Sequence, residues 1–177
     1  LRDVLGKHVT QKGSLVDGGK LRFDFSHNKS LTDTELVKIE ALVNEKIIEN
    51  LPIDTHLMGL KQAKDQGVMA LFTEKYEDDV RVLQMGDFSK ELCGGTHCLS
   101  TGEIGFFVIT SESGIAQGIR RIEAVTAHKA VEYYQLKCRQ LSDISSLLKV
   151  GANQIEQKIV SLQDALNDRE KTILNMK

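Results

Sequence analysis

The chain has 177 residues, of which 41% are hydrophobic and 27% charged, with a formal net charge of −2. This is the composition of one globular domain plus an extension, with enough apolar content for a core. No apolar run approaches the ~18 residues of a membrane span. Three cysteines, one of them in a ligand-like motif, argue for a reducing compartment, the cytoplasm, rather than a disulfide framework.

Charge is unevenly distributed. Arg2, Lys7, Lys12, Lys20 and Arg22 face only Asp3 and Asp17 in residues 1–22, whereas residues 31–91 hold thirteen acidic and seven basic side chains. A basic lobe of this kind either meets phosphates or is a solvated surface.

Residues 1–6 read as the last turn of a helix ending at Gly6, with its beginning upstream. Ser14-Leu15-Val16 and the alternating Leu21-Arg22-Phe23-Asp24-Phe25 predict two strands joined by turn residues Asp17-Gly18-Gly19-Lys20. Thr32, with Glu35 three residues on, predicts a capping box. The helix it opens runs to about Asn50 and is closed by Pro52, with Leu36, Ile39, Leu42 or Val43, and Ile47 on one face. A short strand over 53–58, a short helix over 61–66 stopped by Gly67, and a strand over 80–85 follow.

Residues 104–109 are apolar on both faces, as expected of a central strand. Residues 111–117 read as a turn, and 118–125 as the strand paired back. From about Ala127 the pattern is helical, broken near Gly151. Ile155, Ile159, Leu162, Leu166 and Ile173 form a coiled-coil-like seam that must pack on something, including a second copy of the chain. The expected fold is α+β: a mixed, largely antiparallel sheet against helices over 1–126, then a helical linker over 127–177.

Cys93-Gly94-Gly95-Thr96-His97 carries the most chemistry. A thiol and an imidazole four residues apart are both ligands of the kind that hold Zn²⁺, and the paired glycines let the backbone fold tightly between them. Two ligands do not complete a zinc site. The residues alone leave open a metal-ligand pair or a buried cysteine beside a surface histidine. Gln11 offers an amide able to place a water or hold a substrate amine or carbonyl, or else belongs to a plain loop. Arg120 and Arg121 are strand neighbours on opposite faces, so only one can address a site; the other has Glu123 available for a surface ion pair. His8, His27, His56 and His128 show no ligand spacing and read as surface or hydrogen-bonded histidines.

Four blocks, taken together, carry a resemblance: Gln11-Lys12-Gly13-Ser14-Leu15-Val16, the stretch from Leu21 to His27, the stretch from Met85 to His97, and Arg120-Arg121-Ile122-Glu123-Ala124-Val125-Thr126. Their order and spacing resemble the editing domain of bacterial alanyl-tRNA synthetase, over residues 1 to about 130 plus the helical linker. The resemblance implies a piece of an aminoacyl-tRNA ligase whose editing domain deacylates tRNA for alanine that carries serine or glycine. Such a site answers a physical need, because a pocket sized for alanine discriminates against these by only ~1–3 kcal/mol.

The same resemblance implies a zinc held by Cys93 and His97 together with a His-x-x-x-His pair on a helix that precedes the segment matching Leu1. With two of four ligands, the chain is expected to bind zinc weakly or not at all and to hydrolyse slowly if at all. Gln11, Arg120 and Thr96 match residues of the editing pocket, and the tRNA 3′ end is the implied partner. Free-standing editing factors share this chemistry, and the threonyl type shares the fold, but Arg-Phe-Asp-Phe and Arg-Arg-Ile-Glu-Ala-Val favour the alanyl type. A rival of another class is a non-catalytic module that binds tRNA or self-associates through the helix over 152–177.

Overall fold

The computed structural model describes residues 1–68 and 78–176. It divides into two compact units, Leu1–Val131 and Glu132–Lys177.

The first unit is α+β, with every strand pair antiparallel. After a short helix, α1 (Arg2–Leu5), come β1 (Gln11–Val16), β2 (Leu21–Ser26) and α2 (Asp33–Ile48). Next are β3 (Ile53–Gly59), α3 (Leu60–Asp65), β4 (Asp79–Met85) and β5 (Ser89–Leu92). A 3-10 turn over Thr101–Ile104 leads to β6 (Phe107–Ala116), β7 (Ile119–Thr126) and α4 (Ala127–Leu148). The strands form two sheets rather than one: β1-β2-β7-β6 and β3-β4-β5.

Local chemistry explains the elements. Asp17 Oδ1 accepts from the backbone N–H of Gly19 (2.7 Å) and Lys20 (2.9 Å), which closes the β1–β2 turn. The Thr32 hydroxyl caps the Glu35 N–H while the Glu35 carboxylate returns to the Thr32 N–H at 2.8 Å, the expected capping box. The helix face it starts buries Ile39 and Ile47, with Leu36 and Val43 partly buried beside them. Phe25, fully enclosed, joins Val9, Leu31, Ile39 and Ile122 in one core cluster; Val82, Ala63, Val68, Val80 and Leu92 form the core of the second sheet.

Two expectations in this region are corrected. Residues 104–109 do not make a central strand. Gly105 takes φ +68 and breaks the run, so β6 starts at Phe107 and lies at the edge of its sheet. It tolerates apolar residues on both faces because α2 covers the edge: the Asn44 amide holds both the N–H (2.9 Å) and the C=O (2.8 Å) of Phe107, and Glu40 accepts from the Ile109 N–H at 2.8 Å. Residues 111–117 are strand up to Ala116; only Gln117 and Gly118 turn the chain, with Gly118 at φ +69.

α4 continues into the second unit, where Lys149 at φ +55 ends the helical run and a 3-10 turn over Ala152–Gln154 opens α5 (Ile155–Asn175). Along α5 the seam residues Ile159, Leu162, Leu166 and Ile173 are 41–58% exposed. No helix among the described residues is long and apolar enough to cross a membrane.

Candidate functional site

The Cys93-to-His97 loop leaves the end of β5, the outer strand of the second sheet. β4 holds it twice through one residue. The Arg81 carbonyl accepts the Cys93 N–H at 3.2 Å, and the Arg81 guanidinium donates to the Gly95 carbonyl. The loop thereby curls so that Cys93 Sγ and His97 Nε2 stand 3.2 Å apart. Gly95 lies under both: a Cβ there would sit 3.7 Å from each of the two atoms.

His97 is exposed as a residue, yet partial desolvation of its ring lowers the imidazole below its usual value. The Arg81 charge adds to that, and Glu91 opposes it. The neutral imidazole this favours is the form that ligates metal.

Two ligands of one tetrahedral zinc stand about 3.5 Å apart, given Zn–S of about 2.3 Å and Zn–N of about 2.0 Å. The thiol and imidazole fit two corners of such a site in chemistry, and at 3.2 Å they stand slightly inside that separation, in direct hydrogen-bond contact. Among the described residues no group of three or more His, Cys, Asp or Glu side chains converges to complete it. Thr96 is exposed on the loop, and Cys98, which follows it, is a free thiol.

The other sequence-derived residues lie on the four-stranded sheet. Gln11 is the first residue of β1, inside the strand rather than before it. It pairs with Phe25, which pairs with Arg120, which faces Gly114, so Gln11 and Arg120 share one row across four strands. A bulge after Gln11 lets its amide reach Ser14 Oγ at 2.9 Å.

Arg120 forks onto Glu112, with Nε to Oε1 at 2.5 Å and Nη2 to Oε2 at 2.7 Å, and this bond raises the guanidinium pKa further.

Arg121, on the opposite face, does not pair with Glu123 as expected. It forks onto buried Asp24 at 2.6 and 2.8 Å, while Glu123 takes Lys20 at 2.5 Å. Register is the reason: Asp24 lies directly opposite Arg121 on β2, a closer approach than Glu123 two residues along its own strand. No hydrogen bond or ion pair among the described residues links the Cys93–His97 pair to Gln11 or Arg120.

Sequence reasoning passed over Arg81 and Glu112. Arg81 interrupts an apolar strand between Val80 and Val82, which is a readable signal. Glu112 gives no such signal, because the polar residues 111–114 read as a turn while the chain makes them strand.

Residues 80–123, which contain Arg81, Cys93, His97, Glu112 and Arg120, match the threonyl and alanyl tRNA synthetase second additional domain. The chain is 51% identical over 171 residues, 97% of its length, to an alanine–tRNA ligase of Idiomarina loihiensis. It spans about a fifth of the length of that curated relative, 20%. The domain match and the near-complete alignment make the chain similar to a piece of an alanyl-tRNA synthetase that carries the second additional domain.

Proposed function

We propose that this chain is the editing piece of an alanyl-tRNA synthetase, which hydrolyses the ester of serine or glycine on tRNA for alanine in the cytoplasm. The observation that supports this most is the Cys93–His97 pair, 3.2 Å apart on a glycine loop inside the matched domain.

In this reading Cys93 and His97 hold a zinc ion. When bound, zinc polarises an oxygen or lowers the pKa of a water. Two protein donors are half a tetrahedral set, so zinc bound by these two alone is weak. The chain's own groups would do the rest. Gln11 presents an amide that donates to a carbonyl or accepts from the amino group of the esterified residue. Arg120 is held rigid by Glu112, and its remaining N–H groups offer fixed donors to a phosphate or carbonyl. Thr96 and the glycines shape the wall beside the thiol.

The test is hydrolysis of seryl-tRNA for alanine by this chain, alone and extended upstream by the family's histidine-bearing helix, with Cys93→Ala as control. Rapid hydrolysis by the extended chain that Cys93→Ala abolishes supports the reading. No hydrolysis by a folded, zinc-loaded extension overturns it.

One observation favours a further role for the second unit. The α5 seam is exposed along its length, as a self-associating helix requires. Sedimentation at several concentrations tests this: a dimer that Leu162→Asp dissolves supports it, and a monomer throughout removes it.

A further inference from the structure

The two histidines set aside as having no ligand spacing meet in space. His8 Nε2 and His27 Nδ1 are 2.9 Å apart, with ring centroids 5.2 Å apart and planes 25° apart, so the two rings meet edge to edge in nearly one plane. Main-chain bonds fix both residues. Ser26 Oγ donates to the His8 carbonyl at 3.0 Å and accepts the Thr10 N–H at 2.9 Å, and the His27 N–H donates to the Gly118 carbonyl at 3.0 Å. Gly6, at φ +113, lies beneath the His8 ring, where a Cβ would come within 3.1 Å of Nδ1.

The pair also has a definite place. His27 follows Ser26, which pairs with Ile119, and Gln11 and Arg120 lie in the next row of the same sheet end. Lys7, Lys12 and Lys29 surround it in sequence, all exposed and none in an ion pair among the described residues. Glu35, whose charge is felt at His27, is engaged by the Thr32 N–H and hydroxyl.

Flat rings, one exposed and one half-buried, with exposed lysines close by in sequence are the chemistry that takes single-stranded nucleic acid. Bases stack on the rings, and ammonium groups follow the phosphates. The bond between the rings adds polarity. If His8 Nε2–H donates, His27 Nδ1 accepts and its outer Nε2 carries the proton, a donor facing the ligand.

We propose that the hydrogen-bonded, nearly coplanar His8–His27 pair, with Lys7, Lys12 and Lys29, is a docking surface for an unpaired nucleotide of the tRNA 3′ end, beside Gln11 and Arg120. This rests on the editing reading and gives it an RNA-binding surface distinct from the thiol loop.

The experiment is titration of this chain with a short RNA hairpin bearing a four-nucleotide single-stranded 3′ tail, and with the same hairpin blunt-ended. Tail-dependent binding that His8→Ala and His27→Ala each weaken about tenfold is expected. His8→Phe, which keeps the ring and loses the nitrogens, should retain most of the affinity. Each of Lys7→Ala, Lys12→Ala and Lys29→Ala should lower the slope of log K against log salt by about one.

Alanine variants that bind as the unaltered chain does, or a phenylalanine variant that loses as much as alanine, would overturn the proposal. So would equal binding of the blunt hairpin. Because this assay reads binding without chemistry, it separates from the hydrolysis test. Hydrolysis that needs Cys93 with indifferent histidines sinks only the docking surface, and tail binding without hydrolysis sinks only the editing reading.

Discussion

Arg120 and Glu112 form a forked ion pair across the β6–β7 hairpin, with side chains only 16% and 7% exposed. Gly114 makes room for it: a Cβ there would fall 2.7 Å from Arg120 Nη1. Glu112→Ala leaves a guanidinium largely enclosed and unpaired, and should cost about 1.5–3 kcal/mol in urea unfolding. Gly114→Ala should displace the fork and lower kcat for deacylation in the extended chain, with a smaller loss of stability. If both variants match the unaltered protein in stability and rate, the fork contributes nothing.

Asp24 makes stability depend on pH. The two Arg121 hydrogen bonds hold its carboxyl below the usual aspartate range, against the opposing effect of burial. Glu123, bonded to Lys20, and Glu35, bonded to the Thr32 N–H, are shifted the same way. A depressed folded pKa means this contribution is complete above the unfolded values, about pH 4 for Asp24 and about pH 4.5 for the two glutamates, and is lost as pH falls through the lowered values. Thermal unfolding from pH 7 to pH 2 should show that loss below about pH 4.5. Asp24→Asn should flatten the profile and lower stability at pH 7 by about 1–3 kcal/mol.

Arg81 grips the Cys93–His97 loop from β4 by its carbonyl and its guanidinium. Arg81→Ala keeps the first bond and removes the second. Cys93 should then alkylate about 5- to 10-fold faster, the consequence of losing one charge-assisted hydrogen bond at a partly exposed site. Cys98 and Cys138 serve as internal references. Arg81→Lys should restore part of the protection, and unchanged Cys93 reactivity in Arg81→Ala would remove the guanidinium from this role.

Thr32 supplies the cap of α2, whose Asn44 and Glu40 cover the edge of β6. Thr32→Ala should cost about 0.5–2 kcal/mol. Amide exchange should quicken at Phe107 and Ile109, whose N–H groups the helix holds; exchange that quickens only in the first turn of α2 would show that helix and edge are not coupled.

Elements with a strong local code were legible. The Asp17 turn, the Thr32 capping box, the Leu21–Ser26 alternation and the helix break near Gly151 are each decided within a few residues. The β6 region was not. Its apolar run from Ile104 looked continuous, and only Gly105 at φ +68 and the side chains of α2 show where the strand begins and why its edge is protected.

The same division holds for the chemistry. The sequence by itself determined the family resemblance, the thiol–imidazole loop and the separation of Arg120 from Arg121 onto opposite faces, because these depend on residue identity, short spacing and the two-residue period of a strand. Partnership across strands belonged to the tertiary structure. Register set Arg121 on Asp24 and Arg120 on Glu112, β4 supplied Arg81 to the loop, and the β1–β2 hairpin brought His8 to His27, nineteen residues apart in the chain and 2.9 Å apart in space. Such contacts follow from how sheets align, which local spacing does not encode.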